Sequence, residues 1–87
     1  MTTKYYWYKQ CPICEGQGRL LILRDVTHDR LYLHCDECEW GWLDPELVDD
    51  VSAAFLTLDE EFNSEAPTLE EIQRYGWERY ALHSFEE

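Results

Sequence analysis

The sequence predicts an α+β fold: an antiparallel ribbon of three or so short strands gathered around four cysteines, with two C-terminal helices packed on it. Three observations predict it. Two Cys-x-x-Cys pairs, Cys11/Cys14 and Cys35/Cys38, bracket a stretch with two short apolar runs. The apolar pattern has the period of strands before residue 44 and of helices after it. The chain, at 87 residues, has room for one domain with a thin hydrophobic core, so a staple is expected.

Each element follows from local chemistry. Tyr5-Tyr6-Trp7-Tyr8 is an aromatic run suited to a pleated surface and reads as a strand. Cys11 to Gly18 is turn-forming, with two glycines. Arg19-Leu20-Leu21-Ile22-Leu23-Arg24 reads as a strand covered on both faces, and Thr27-His28-Asp29 as a polar turn. Arg30-Leu31-Tyr32-Leu33-His34 alternates, with Leu31 and Leu33 on one face and Tyr32 and His34 on the other. This pair forms a hairpin that runs into Cys35, and Trp40-Gly41-Trp42-Leu43 can add a further short strand. All the β structure is thus expected in residues 1–43.

From residue 44 the period changes. Asp44 suits an N-cap and Pro45 a first helical position, which needs no backbone N–H. Val48, Val51, Phe55, Leu58 and Phe62, flanked by Leu47 and Ala54, then mark one stripe of a helix of about four turns. Asn63 to Pro67 breaks it. Thr68 and Glu71 make a capping-box pattern that starts a second helix, with Leu69, Ile72, Tyr75, Arg79 and Leu82 inward and Gly76 interrupting. The chain therefore reads as one domain over 1–87, a ribbon at 1–43 and an acidic helical part at 44–87.

The two cysteine pairs are separated by twenty residues. Two residues between cysteines let a tight turn point both sulfurs at one ion, and the hairpin brings the second pair around to complete a tetrahedron. Zinc accepts four thiolates in this way, in a structural site with no open position. Cys11, Cys14, Cys35 and Cys38 are therefore the expected ligands of one structural zinc, which makes the ribbon a zinc ribbon. Iron in a similar cage is the alternative, since tetrahedral thiolate suits either metal. Two disulfides would suit a secreted chain, and a redox Cys-x-x-Cys would need a βαβ context that is missing here. His34, beside Cys35, is a possible substitute ligand but reads better as a strand residue. Apparent zinc affinities in finger peptides of about 10–16 kcal/mol exceed the about 5–15 kcal/mol net stability of a typical domain. Metal removal is therefore expected to unfold at least the first half.

Charge is lopsided. Residues 1–43 carry 5 Lys/Arg against 6 Asp/Glu, and residues 44–87 carry 2 against 13, within a net of −12. Such a surface repels phosphates and anionic lipid and attracts basic proteins. Neither nucleic acid nor a membrane is an expected partner, and no apolar run is long enough to span a bilayer. Met1-Thr2-Thr3-Lys4-Tyr5 lacks the apolar stretch of a secretory signal, which favours a cytoplasmic location. The carboxylates lie in adjacent-residue runs typical of solvated faces, and the histidines His28, His34 and His83 are scattered. With four cysteines committed to metal, no catalytic set emerges and an enzyme is not expected. The four tryptophans and six tyrosines are expected to fill the core, with partner anchoring as their functional alternative.

Cys11-Pro12-x-Cys14, the hairpin, Leu31-Tyr32-Leu33-x-Cys35-Asp36-Glu37-Cys38-Glu39-x-x-Trp42 and Ile72-x-x-Tyr75-Gly76-Trp77 together resemble a group of small bacterial zinc-ribbon proteins. Members of that group occur among the immunity proteins of contact-dependent growth inhibition and related polymorphic toxin systems. The resemblance implies a cytosolic protein that binds and neutralises a toxin domain, a basic nuclease being the partner that the acidic half would suit. Asp49, Asp50, Asp59, Glu60 and Glu61 are the expected contact charges, with Tyr75 and Trp77 as candidate anchors. The alternative function is a zinc-ribbon accessory module in transcription or RNA handling.

Overall fold

Leu20 to Leu23 and Leu31 to Leu33 do form the hairpin their apolar pattern predicts. In the computed structural model, which describes residues 3–14, 17–57 and 63–86, they lie in β2 (Arg19–Asp25) and β3 (Arg30–Cys35). Their register pairs Leu20 with Cys35, Ile22 with Leu33 and Asp25 with Arg30. β1 (Lys4–Gln10) lies on the far side of β2, with its register shifted between Trp7 and Gln10. β4 (Trp40–Trp42) pairs with β3 and places Trp42 opposite Leu33.

The expected restriction of β structure to the first half is wrong. β5 (Phe55–Leu56) pairs with β4, β6 (Ser64–Glu65) pairs with the end of β2, and β7 (His83–Glu86) pairs with β1. The result, among the described residues, is a seven-stranded antiparallel sheet of order β5-β4-β3-β2-β1-β7, with β6 beside β2. The α+β fold of a small ribbon carrying two packed helices is therefore corrected to a mostly antiparallel sheet with, among the described residues, one short α-helix.

The first expected helix is replaced by two 3₁₀ turns, Pro45–Leu47 and Val51–Ala53. Asp44 does cap and Pro45 does lead, but the turn stops at Leu47. Asp50 then accepts from the Ser52 backbone N–H and starts a second turn, and its carbonyl accepts from Trp42 Nε1 at 3.2 Å. Side chains that bond nearby backbone compete with helix in this way. Phe55 and Leu56, which pair with Gly41 and Trp40, are taken up by the sheet. Of the stripe, Val48 is buried and Val51 is exposed, while Leu58 and Phe62 lie outside the described residues.

The second helix exists but is short. α1 (Leu69–Arg74) starts with the expected capping box between Thr68 and Glu71. It ends at Gly76, whose φ of 75° is the left-handed conformation that glycine adopts without a Cβ penalty. There Gly76 N–H donates to Gln73 O and Trp77 N–H to Ile72 O, which satisfies the last carbonyls. Arg79 and Leu82, expected inward on this helix, lie beyond its end and are exposed. Ile72 is its buried residue and joins a core of Leu20, Ile22, Leu31, Leu33, Trp42, Val48 and Tyr80.

Candidate metal centre

Cys11 follows the last residue of β1, and Cys35 is the last of β3, so the sheet itself brings the two knuckles together. In the first knuckle Cys11 N–H donates to Gly18 O at 2.8 Å and Gln17 N–H to Cys14 O at 3.1 Å. In the second, Glu39 N–H donates to Cys35 O at 3.2 Å, with Glu39 in the left-handed region at φ 61°. Thr57 holds that turn, donating from its N–H (3.0 Å) and its hydroxyl (2.6 Å) to Glu39 O.

The Sγ atoms of Cys11, Cys14, Cys35 and Cys38 all lie within 4.8 Å of one another. Cys11 and Cys38 are 3.6 Å apart at sulfur, as are Cys14 and Cys35. Tetrahedral sulfurs at a zinc–sulfur distance of about 2.3 Å would stand about 3.8 Å apart, so the four thiols fit a single ion. Backbone donors surround them: Gly18 N–H to Cys14 Sγ at 3.2 Å, and Cys38 and Glu37 N–H to Cys35 Sγ at 3.4 and 3.5 Å. Such donors offset part of the thiolate charge and orient the ligands. Gly18 also makes room, because a Cβ at this position would lie 2.4 Å from Cys35 Sγ.

Protonation opposes the metal. Burial pushes the Cys11 thiol up to about 12 and raises that of Cys38. Burial also acts to raise Cys35, but the Cys38 and Glu37 donors and the neighbouring thiols outweigh it and bring that thiol below its ordinary value. A metal ion must displace these protons, so occupancy falls with acid. Four soft sulfur donors can hold a metal ion, with zinc and iron the candidates for such a set.

His34 does not join the cluster. Its Nδ1 lies 3.0 Å from Thr57 Oγ1, and the single hydroxyl proton of Thr57 is directed at Glu39 O. The imidazole must therefore donate from Nδ1, which removes that nitrogen as a ligand. Burial lowers its pKa, so it is held neutral.

The residues expected to meet a partner come from separate segments of the chain. Asp49 and Asp50 are exposed beside each other between the two 3₁₀ turns, while Asp59, Glu60 and Glu61 lie outside the described residues. Tyr75 and Trp77 are half-buried and used internally. The Tyr75 hydroxyl donates to Asp29 and accepts from Arg24 Nε at 3.3 Å, and Trp77 packs edge-on against Tyr80 with centroids 5.8 Å apart.

Two polar residues carry more of the architecture than the sequence suggested. Arg24 pairs with Asp29 (3.2 Å) and Glu65 (2.9 Å), joining β2, its turn and β6. Asp25 is fully buried and accepts from His28 N–H (3.1 Å), His28 Nδ1 (2.7 Å) and Arg30 Nε (2.9 Å). An Asp at the start of a Thr-His-Asp turn was the available signal, since such residues bond back to the turn.

A mostly antiparallel β protein with a four-cysteine cluster able to hold a metal ion is the class that this fold and site define. The chain is 37% identical over 41 residues to an uncharacterized protein of Acanthamoeba polyphaga mimivirus, a match covering 45% of this chain and 34% of the relative. The chain thus spans about a third of that relative's length. No protein-family model matches the sequence, and no solved structure matches it.

Proposed function

We propose that the chain is a non-catalytic protein with one structural zinc, and that it acts by binding a basic protein partner. The observation that carries the zinc reading is the set of four converging sulfurs, within 4.8 Å of one another and supplied with backbone N–H donors. Four thiolates close the coordination sphere, which suits structure rather than hydrolysis. The partner reading is supported by the net charge of −12 and by its concentration after residue 43. Neutralisation of a toxin nuclease in the cytoplasm is the specific form of this reading, and it rests on the resemblance in the cysteine and tryptophan motifs.

Elemental analysis of purified protein should return one zinc per chain; a metal-free folded protein, or one loaded with iron, would overturn the zinc reading. Co-expression with the product of the adjacent gene should yield a complex with a basic domain and suppress its activity. An adjacent product that neither binds nor is inhibited would remove the toxin reading.

A further inference from the structure

Leu47 and Val51 belong to the apolar stripe that a helix would have turned inward, yet they are 45% and 59% exposed, and Leu43 is 46% exposed. The two 3₁₀ turns split the stripe. Pro45, Val48 and Trp42 take the inward positions of the segment, so the intervening leucines and valine face solvent. Asp44, Glu46, Asp49 and Asp50 lie among them and are exposed. Two cations approach these four carboxylates: Lys9 at 3.4 Å from Asp49, and Arg79 at 3.4 Å from Glu46. The segment thus exposes three aliphatic side chains interleaved along the chain with four carboxylates, which two cations only partly offset.

We propose that residues 43–53 form a docking surface for a basic amphipathic helix of a partner protein. The inference rests on the reading of a basic partner above and assigns the place and the chemistry of contact. Leu43, Leu47 and Val51 would meet the apolar stripe of that helix, while Asp44, Glu46, Asp49 and Asp50 would meet the Lys or Arg flanking it. An extended strand has little to pair with here. The N–H groups of Leu47, Asp50, Ala53 and Ala54 already bond within the segment, and those of Glu46 and Ser52 bond the Asp44 and Asp50 side chains. Recognition must therefore be by side chains. The surface is also preformed: Val48 anchors it in the core and Trp42 Nε1 holds Asp50 O. A preformed surface spares a partner the ordering cost of binding.

The test uses the full, metal-loaded chain, labelled with ¹⁵N, and a capped Leu/Lys peptide of about 18 residues with leucine at helical spacing. Two control peptides replace every Leu by Ser or every Lys by Glu. The Leu/Lys peptide should shift amides of residues 43–53 saturably. The Ser peptide should bind at least about ten-fold more weakly, as should the Leu/Lys peptide to a Leu47→Ala/Val51→Ala variant of unchanged metal content. Asp49→Lys should weaken binding and reduce its salt dependence, and the Glu peptide should not bind. Equal binding of the Ser peptide, shifts centred elsewhere, or an unaffected double variant would overturn the proposal. If a co-purified basic partner binds that double variant like wild type, this surface falls while the partner reading stands. If the peptide results hold and no basic partner exists, the partner reading falls and the surface stands.

Discussion

Gly18 and Asp25 show how single positions govern the ribbon. At Gly18 the backbone passes so close to Cys35 Sγ that an added methyl would stand 2.4 Å from it. Gly18→Ala must therefore push one knuckle aside, at a cost of about 1–3 kcal/mol, and should weaken metal retention by about ten-fold or more; competition with a chromophoric chelator measures it. Asp25 is ionised and buried against His28 and Arg30, and although burial acts to raise its pKa, those donors hold it below the ordinary carboxylate range. A depressed folded pKa stabilises the native state above the unfolded value and ceases to do so as pH falls through the folded one. Asp25→Asn should thus cost about 1–3 kcal/mol at neutral pH. The gap between variant and wild type should close as pH falls below the usual Asp range. Urea unfolding of both proteins across pH, compared as a difference, checks this.

Among the elements, α1 is held by its ends rather than by its length. Six residues make a helix too short to stand by propensity, so the Thr68–Glu71 capping box at one end and Gly76 at the other must hold it. Thr68→Ala should cost about 1 kcal/mol. Gly76→Ala should cost about 1–2 kcal/mol from backbone strain alone, since no atom lies within 4 Å of an added Cβ. Both should leave metal content unchanged, because α1 supplies no ligand; denaturation midpoints and zinc analysis on the same samples test this. The 3₁₀ pair behaves in the opposite sense. There the sequence offers a helical stripe, but Asp44 and Asp50 each restart the chain by capping, and the sheet takes Phe55 and Leu56.

On the scale of the whole molecule, the cysteine cluster and the sheet are one structure. Cys11 and Cys35 sit at the ends of β1 and β3, and both are buried with Leu20 and Trp42 in the same core. Stripping the ion should leave four thiols crowded together without a common partner, two of them fully buried. Chelation is expected to abolish amide dispersion and the near-ultraviolet signal of Trp42, with recovery on adding zinc; a dispersed spectrum in the metal-free chain would show that the sheet stands alone. The molecule should also show no submicromolar affinity for ordinary oligonucleotides at physiological salt, because its cations are few and Arg19, Arg24 and Arg30 are already paired with carboxylates. An anisotropy titration decides that point.

By itself the sequence determined the features written in local chemistry: the cysteine spacing, the β2–β3 hairpin with its alternation at Leu31 to His34, the β4 strand around Gly41 and the capping box at Thr68. Each depends on residues close along the chain, where spacing and propensity suffice. What only the tertiary structure decided depends on partners distant in sequence. β7 is a strand because β1 offers an edge, with Tyr5 opposite Phe85 and Trp7 opposite His83. β5 is a strand because Gly41 and Trp40 need pairing, and this outweighs a helical stripe whose apolar spacing matched well. A two-residue strand carries almost no signal of its own. Its hydrogen bonds exist only once the β2–β3 hairpin has set β4 in place, and for that reason the acidic half reads as helix in the sequence and completes a sheet in the fold.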